Sequence, residues 1–506
     1  MFARIYGATI LGLQGNIITV ETDIANGLPA FEIVGLAATS VKESKERVRS
    51  AMKNSGYEFP MRRITVNLAP ADLKKDSAGL DAAIAMGIMV SSGQISPAQC
   101  EHTLFIGELA LDGAVRPVTG ILPMLLQGIA EGFHTCFVCQ ENTAEALLCQ
   151  GMTIYTVSSL SEMMGHLTGT ARLSPSSAAA ASPLTSAYTV DFAEVQGQFT
   201  AKRALEIAAA GGHNMLLTGP PGAGKTMLAK RIPTILPPMN MQESLEVTKI
   251  YSVAGLFQQA QLVTERPFRS PHHTISTAGL IGGGSIPRPG EVTLSHNGVL
   301  FLDELPEFPR SVLEVLRQPL EDGAVHISRV NASLSYPSRF MLIASMNPCP
   351  CGFFGSHDNR NCTCTTSEIR RYNRKISGPL LDRIDLHVPV ERPKYQELVT
   401  EIPQESSAQI RSRVVAARER QESRLHVYGI CCNAHMGHRE IRQTCPMTGE
   451  ARELLRNVFD TLHLSARSYD RTIKVARTIA DLSQEEVITD THIAEAVSYR
   501  HTEQRM

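Results

Sequence analysis

Gly219 to Thr226 reads GPPGAGKT, and the reading of this octapeptide decides the fold. It follows Asn214 to Thr218, an apolar run of strand length, and precedes the helical run Met227 to Arg231. Between a strand and a helix, such a glycine-rich turn lets consecutive backbone N–H groups curl around phosphate oxygens. Gly219, Pro220, Pro221, Gly222, Ala223 and Gly224 would form the cradle. Lys225 would reach the β and γ oxygens, and the Thr226 hydroxyl would ligate Mg2+.

Working outward, Val299 to Leu302 is a second buried strand, and it ends in Asp303 and Glu304. A carboxylate at Asp303 suits the magnesium shell, and one at Glu304 suits polarising the attacking water. A third apolar run, Phe340 to Ala344, leads to Asn347, whose amide can position that water. Three buried strands of this kind predict an α/β fold with a parallel sheet. Asp303 follows Lys225 by 78 positions, whereas a simple strand-helix-strand unit takes about 30 residues, so something is inserted. The insert includes Arg266 to Glu291, rich in Gly and Pro, and carries Arg266, Arg269 and Arg288. A second excursion, Gly323 to Phe340, predicts a hairpin hinged near Arg329 to Ala332. Cations in such loops, Arg266, Arg269 and Arg288 in the insert and Arg329 in the hairpin, suit a polyanion.

The 506 residues leave room for about three domains. Lys plus Arg total 48 against 50 Asp plus Glu, so there is no global field for a polyanion and any nucleic-acid contact must be local. No apolar run approaches the roughly 20 residues of a membrane helix, and Met1 to Val20 lacks the pattern of a signal peptide. With eleven cysteines at low density, a reducing, cytoplasmic location away from membranes is expected. Leu173 to Ala187 (LSPSSAAAASPLTSA) reads as a linker. The expected division is a compact α/β unit over 1–170, a linker over 171–188, a nucleotide-binding core over 189–392 and a helical domain over 393–506. Cys349, Cys351, Cys362 and Cys364 form a C-x-C, ten-residue gap, C-x-C arrangement. Four thiolates can close a tetrahedral Zn2+ site, and free or redox-active thiols are the alternative. Cys136 and Cys139 lack a partner pair nearby and read as core cysteines.

Together these motifs resemble an AAA+ ATPase. RPFRSPHHT (266–274), LSHNGVLFLDELPEF (294–308), NPCPCGFFG (347–355) and SGPLLDRIDL (377–386) resemble the ComM group of magnesium-chelatase-like AAA+ proteins of bacteria. GLPAFEIVGL (27–36), RITVNLAPADLKK (63–75) and GELALDGAVRPVTG (107–120) resemble the Lon-protease-like domain of the same group. The resemblance implies ATP and Mg2+ as cofactors and a homo-oligomeric ring, usually a hexamer. It implies Arg383 as an arginine finger donated to the neighbouring copy and Arg467 as the nucleotide sensor of the helical lid, with Arg471 the alternative. It also implies that the insert and hairpin project into the pore, and that the whole is an ATP-driven motor for branch migration on single-stranded or branched DNA during transformation. A chelatase-like ATPase that remodels a partner protein is the alternative, and an ATP-dependent protease a distant third. A Lon peptidase needs a serine–lysine dyad. Lys75 to Gly79, with Ser77, matches the serine motif poorly, and Leu122 occupies the aligned lysine position.

Overall fold

The described residues of this computed structural model are 1–75, 78–177, 188–257, 261–284, 288–329, 332–355, 361–393 and 404–500. Most of the expected linker, 178–187, and Ser77 lie outside them.

The N-terminal unit is built on strands β1 (Phe2–Leu11), β2 (Gln14–Ala25), β3 (Ala30–Val34), β4 (Arg63–Ala69), β5 (Thr103–Phe105), the short pair β6 (Glu108–Leu109) and β7 (Val115–Arg116), β8 (Thr135–Cys139) and β9 (Thr153–Val157). Seven of them form one mixed sheet in the order β3-β4-β2-β1-β5-β8-β9. β1 and β2 make a long antiparallel hairpin, and β5, β8 and β9 run parallel to one another. The helix Asp81–Ser91 (DAAIAMGIMVS) is buried along its whole length against the hairpin. Small residues permit that approach, since a methyl group at Gly7 would come within 2.8 Å of Leu80.

The nucleotide-binding core contributes β10 (Met215–Thr218), β11 (Phe268–Arg269), β12 (Gly282–Gly283), β13 (Arg288–Pro289), β14 (Val299–Leu302), β15 (Ala324–Arg329), β16 (Ala332–Pro337), β17 (Met341–Met346) and β18 (Leu386–Pro389). Five of these form an all-parallel sheet, β11-β14-β17-β10-β18. Every residue of β14 and β17 is buried, as a parallel sheet covered on both faces requires. β12 pairs with β13 and β15 with β16 as separate antiparallel ribbons, which are the insert and the hairpin expected from the sequence. The hairpin β15–β16 shares one apolar cluster, with Val325, Ile327 and Tyr336, with Leu280 and Val292 of the short helices that flank β12–β13.

The C-terminal helices Ser407–Leu425, Gly449–Thr461, Ala466–Leu482 and Asp490–Ser498 do not build a core of their own. Their Ile410, Val414, Ile473 and Ile479 join Leu205, Leu228 and Ile232 of the core helices in one buried cluster. Among the described residues the N-terminal unit meets the core where its helix Ile121–Ala130 packs along Met241–Ala254, at Glu145 and at the β1–β2 turn. Buried Glu145 accepts from the Leu122 backbone N–H at 2.8 Å and from the Ser252 hydroxyl, and burial raises its carboxyl pKa against those bonds. Leu13, in the β1–β2 turn, packs with Leu334 of β16 against the ribbon cluster. Among the described residues no helix is long and apolar enough to cross a membrane.

Candidate nucleotide site

The parallel register places the carboxyl ends of β10, β17 and β14 side by side, Thr218 beside Met346 and Leu302 beside Ala344. Everything that follows these strands therefore meets at one end of the sheet. Gly222 and Gly224 take the positive φ values, 77° and 89°, that the turn demands and glycine supplies without strain. The helix Lys225–Ile235 starts directly behind them, so its unpaired N–H groups face the same hollow.

Lys225 Nζ donates to Gly219 O at 2.7 Å, to Pro220 O at 3.0 Å and to Asn347 Oδ1 at 3.0 Å. Burial lowers its pKa, and the nearby Asp303 and Glu304 pull the other way. Thr226 Oγ1 donates to Asp303 Oδ2 at 2.7 Å. The other oxygen of Asp303 accepts from the Glu304 N–H at 3.1 Å and from the Ser345 hydroxyl. Glu304 is exposed and sits at φ 54°, a left-handed conformation unusual for a side chain of its size. A buried ammonium held only by carbonyl and amide oxygens, beside a hydroxyl–carboxylate pair, fits a Mg2+-nucleotide phosphate tail. Sequence reading chose Lys225, Thr226, Asp303 and Asn347, and in the structure Lys225 meets Asn347 and Thr226 meets Asp303. It missed Ser345, which fixes Asp303, and Gln198, whose amide bridges Ala223 O at 3.2 Å to Glu391 O at 2.5 Å.

Arg383 lies elsewhere. β10 and β18 pair Met215 with Leu386 and Thr218 with Pro389. Arg383 precedes β18, so it stands at the opposite end of the sheet from the phosphate loop that follows Thr218. It is 6% exposed, donates to Pro379 O at 2.7 Å and pairs with Glu321. Arg467 reaches the same Glu321 at 3.2 Å, and Arg471 pairs with Asp385 at 3.5 Å. Arg383, Asp385, Arg471 and Glu321 wall a cavity of about 420 Å³. The arginine that the resemblance makes the finger, Arg383, and the one it makes the lid sensor, Arg467, are therefore on one face, with Glu321 as the shared anion that sequence reading missed.

Two of the four expected DNA-contacting arginines have partners within the chain. Arg266 is tied to Glu243 at 2.9 Å, to Pro237 O at 2.6 Å and to Asn297 O at 2.7 Å. Arg269 makes a bidentate pair with Glu291 at 2.7 and 2.8 Å. Both guanidiniums are ion-paired within the chain: Arg266 ties the start of the insert to Glu243, Pro237 and Asn297, and Arg269 joins the two ends of the insert through Glu291. Arg288 is exposed on β13, and Arg329 falls in β15 next to the turn, its side chain outside what is described.

The four cysteines of the double C-x-C arrangement do converge. Their sulfurs lie within 4.8 Å of one another, with 3.3 Å between Cys349 and Cys351 and 3.6 Å between Cys349 and Cys362. Backbone N–H groups of Cys351 and Phe354 donate to Cys364 and Cys349 sulfurs. A donor set of four clustered sulfurs with N–H support fits a Zn2+ ion. The knuckle also presses on the phosphate loop, because a methyl group at Gly352 would come within 2.5 Å of Pro221. Arg392 donates to Pro221 O at 2.7 Å and lies 5.7 Å over the Phe353 ring. Cys136 and Cys139 are buried core thiols, and burial pushes Cys136 up. In the N-terminal unit Leu122 is fully buried, and the Lys75 ammonium is spent on the carbonyls of Gly35 and Pro70.

Three family models match: magnesium chelatase subunit ChlI over residues 191–398, subunit ChlI of Mg-chelatase over 20–142, and the ChlI C-terminal region over 404–500. An uncharacterized protein YifB of Escherichia coli is 44% identical over 97% of this chain and 95% of its own length. Competence protein ComM of Haemophilus influenzae is 41% identical over 98% of this chain and 97% of its own. A Lon protease of Mycolicibacterium smegmatis is 28% identical over 27% of this chain and 18% of its own. With the phosphate loop on β10, the carboxylates on β14, the amide after β17 and a helical lid, the chain belongs to the magnesium-chelatase-like AAA+ family that includes YifB and ComM.

Proposed function

We propose that the chain is an ATP-hydrolysing ring motor, closing as a hexamer, that moves single-stranded or branched DNA and promotes branch migration during transformation. One observation supports the reading: Lys225, Thr226, Asp303 and Asn347 gather at one end of a single sheet, and Arg383, which the resemblance makes the finger, stands at the other. A chain so built completes its site only against a second copy. Bound MgATP supplies a γ-phosphoryl group whose transfer to water releases the energy. Lys225 binds the phosphates, Thr226 and Asp303 hold the metal, and Asn347 orients the water. Glu304 accepts a proton from it, and the neighbour's Arg383, with Arg467 beside it, stabilises charge on the transferring group.

The DNA assignment draws on the printed name of the competence relative and on the two ribbons, whose exposed Arg288 and hairpin Arg329 bring cations to places with no nucleotide role. Leu122 in the dyad-lysine position argues for a non-proteolytic N-terminal unit that supports the hairpin through Leu13. The second reading, remodelling of a partner protein, follows the chelatase names of all three matching family models. Measuring ATP hydrolysis with and without single-stranded and branched DNA separates them. Stimulation by DNA is expected; hydrolysis indifferent to DNA, in protein that does not bind it, would favour remodelling.

A further inference from the structure

Cys431 and Cys432 are adjacent, and His435 follows one turn later, in the loop that joins two lid helices. A 3₁₀ turn over Asn433–His435 folds the imidazole back onto both thiols. His435 Nδ1 lies 3.3 Å from Cys432 Sγ and 3.8 Å from Cys431 Sγ, and all three donor atoms are within 4.8 Å of one another. A tetrahedral zinc ion with ordinary Zn–S and Zn–N bonds has S···N edges of about 3.6 Å. The two separations bracket that edge.

The loop is held in this shape by bonds that do not involve the three donors. The Asn433 N–H donates to Gln421 Oε1 at 2.9 Å, and its side-chain amide to Asp481 Oδ2 at 2.8 Å. Lys474 Nζ donates to Ala434 O at 2.9 Å. Room for the buried sulfur is made by Gly212, where a methyl group would come within 2.9 Å of Cys432 Sγ. Cys432 is buried while Cys431 and His435 are exposed, so the three donors form one face of a tetrahedron open on the outer side. A divalent cation bound by two thiolates and a neutral imidazole carries no net charge, which is compatible with Lys474 and Arg418 close by.

We propose that Cys431, Cys432 and His435 form a second metal site, which takes a zinc-class divalent cation through two sulfurs and one nitrogen and leaves its fourth position to water. It is separate from the Cys349 knuckle, which borders the phosphate loop. Cys431 and His435 instead wall the cavity that holds Arg383 and Glu321, so an ion here fixes the loop on the finger-bearing side.

The test uses full-length reduced protein stripped by a chelator and titrated with Zn2+ against a chromophoric competitor. Cys431→Ser and His435→Gln change exposed positions, and far-ultraviolet circular dichroism and melting without metal verify that both variants fold. Each variant is expected to bind one equivalent fewer than the parent. With Co2+ as probe, the parent-minus-variant spectrum should show the visible bands of a tetrahedral sulfur–nitrogen site. The comparison does not depend on what the Cys349 set binds. Equal stoichiometry in the parent and both folded variants would overturn the proposal.

Discussion

Lys225 and Glu304 sit at the same end of the sheet but have separable tasks. Lys225→Ala removes the buried ammonium that the cradle is built around, and nucleotide binding should be lost. Glu304→Gln keeps the shape and removes the base, so binding should persist while turnover falls by about 10²-fold or more. Equilibrium binding of a fluorescent nucleotide beside steady-state hydrolysis reads both, and parent-rate turnover by Glu304→Gln would reject its role. Arg266 gives the opposite kind of prediction. Its side chain is 14% exposed and shared among Glu243, Pro237 and Asn297, so Arg266→Ala strands a carboxylate and two carbonyl acceptors. It should cost about 3 kcal/mol in chemical denaturation, and unchanged stability with weakened DNA binding would restore the free-cation reading. His213 supplies a pH test. It is fully buried between Asp385 at 3.2 Å and Thr478 at 2.8 Å, and burial lowers its pKa against the pull of Asp385. The unfolded chain takes up a proton near the ordinary value of 6.5 before the folded one does. The stability His213 contributes is therefore full above that pH and declines as pH falls, by up to about 1.4 kcal/mol per unit. Its advantage over His213→Gln should shrink between about pH 7.5 and 5; a constant difference would contradict the assignment.

At the level of elements, the core strands were legible because a parallel sheet leaves an unmistakable trace. Val299 to Leu302 is apolar without alternation, matches β14 residue for residue, and is followed by the carboxylates Asp303 and Glu304. The hairpin turn near Arg329 was legible from two β-prone runs, and so were the long lid helices. β1 was not, since Gly7 interrupts its apolar pattern for the sake of the helix behind it, a reason visible only in three dimensions. For the same reason Arg266 and Arg269 looked free in the sequence: Glu243 is 23 positions away from Arg266 and Glu291 is 22 from Arg269, too far for any local pattern. The cysteine knuckle was legible as spacing, but its contact with Pro221 was not. That contact joins it to the phosphate loop. Cys349→Ser with Cys351→Ser should release Gly352 from Pro221 and weaken nucleotide affinity by about tenfold, roughly the worth of 1.4 kcal/mol. Metal content and nucleotide affinity measured on the same preparation check this, and loss of metal with parent affinity would show the knuckle to be independent of the phosphate loop.

For the whole molecule, the arrangement of the sheet decides more than any single residue. Arg383 and Arg467 meet at Glu321 on the face opposite the phosphate loop, and the N-terminal unit braces the ribbons through Leu13 and the core through Glu145. A molecule with its phosphate-binding groups and its arginine pair at opposite ends is suited to head-to-tail rings, in which every interface is the same and each site borrows from the next copy. In such a ring the ribbon cations, Arg288 exposed on β13 and Arg329 in the hairpin, would be repeated in every copy. Arg288→Ala with Arg329→Ala should accordingly leave basal hydrolysis near the parent rate, weaken DNA binding at all sequences alike and flatten its salt dependence; undiminished binding in a salt titration would remove the ribbons from the DNA path. The central claim, that one chain's arginine completes another chain's site, is tested most directly by mixing two inactive variants. Lys225→Ala subunits lack the cradle but carry Arg383, and Arg383→Gln subunits carry the cradle but lack the arginine. In mixed assemblies whose co-assembly is verified by light scattering, the account predicts that ATP hydrolysis reappears and peaks near equal proportions, whereas mixtures that co-assemble and stay inactive at every ratio would contradict it.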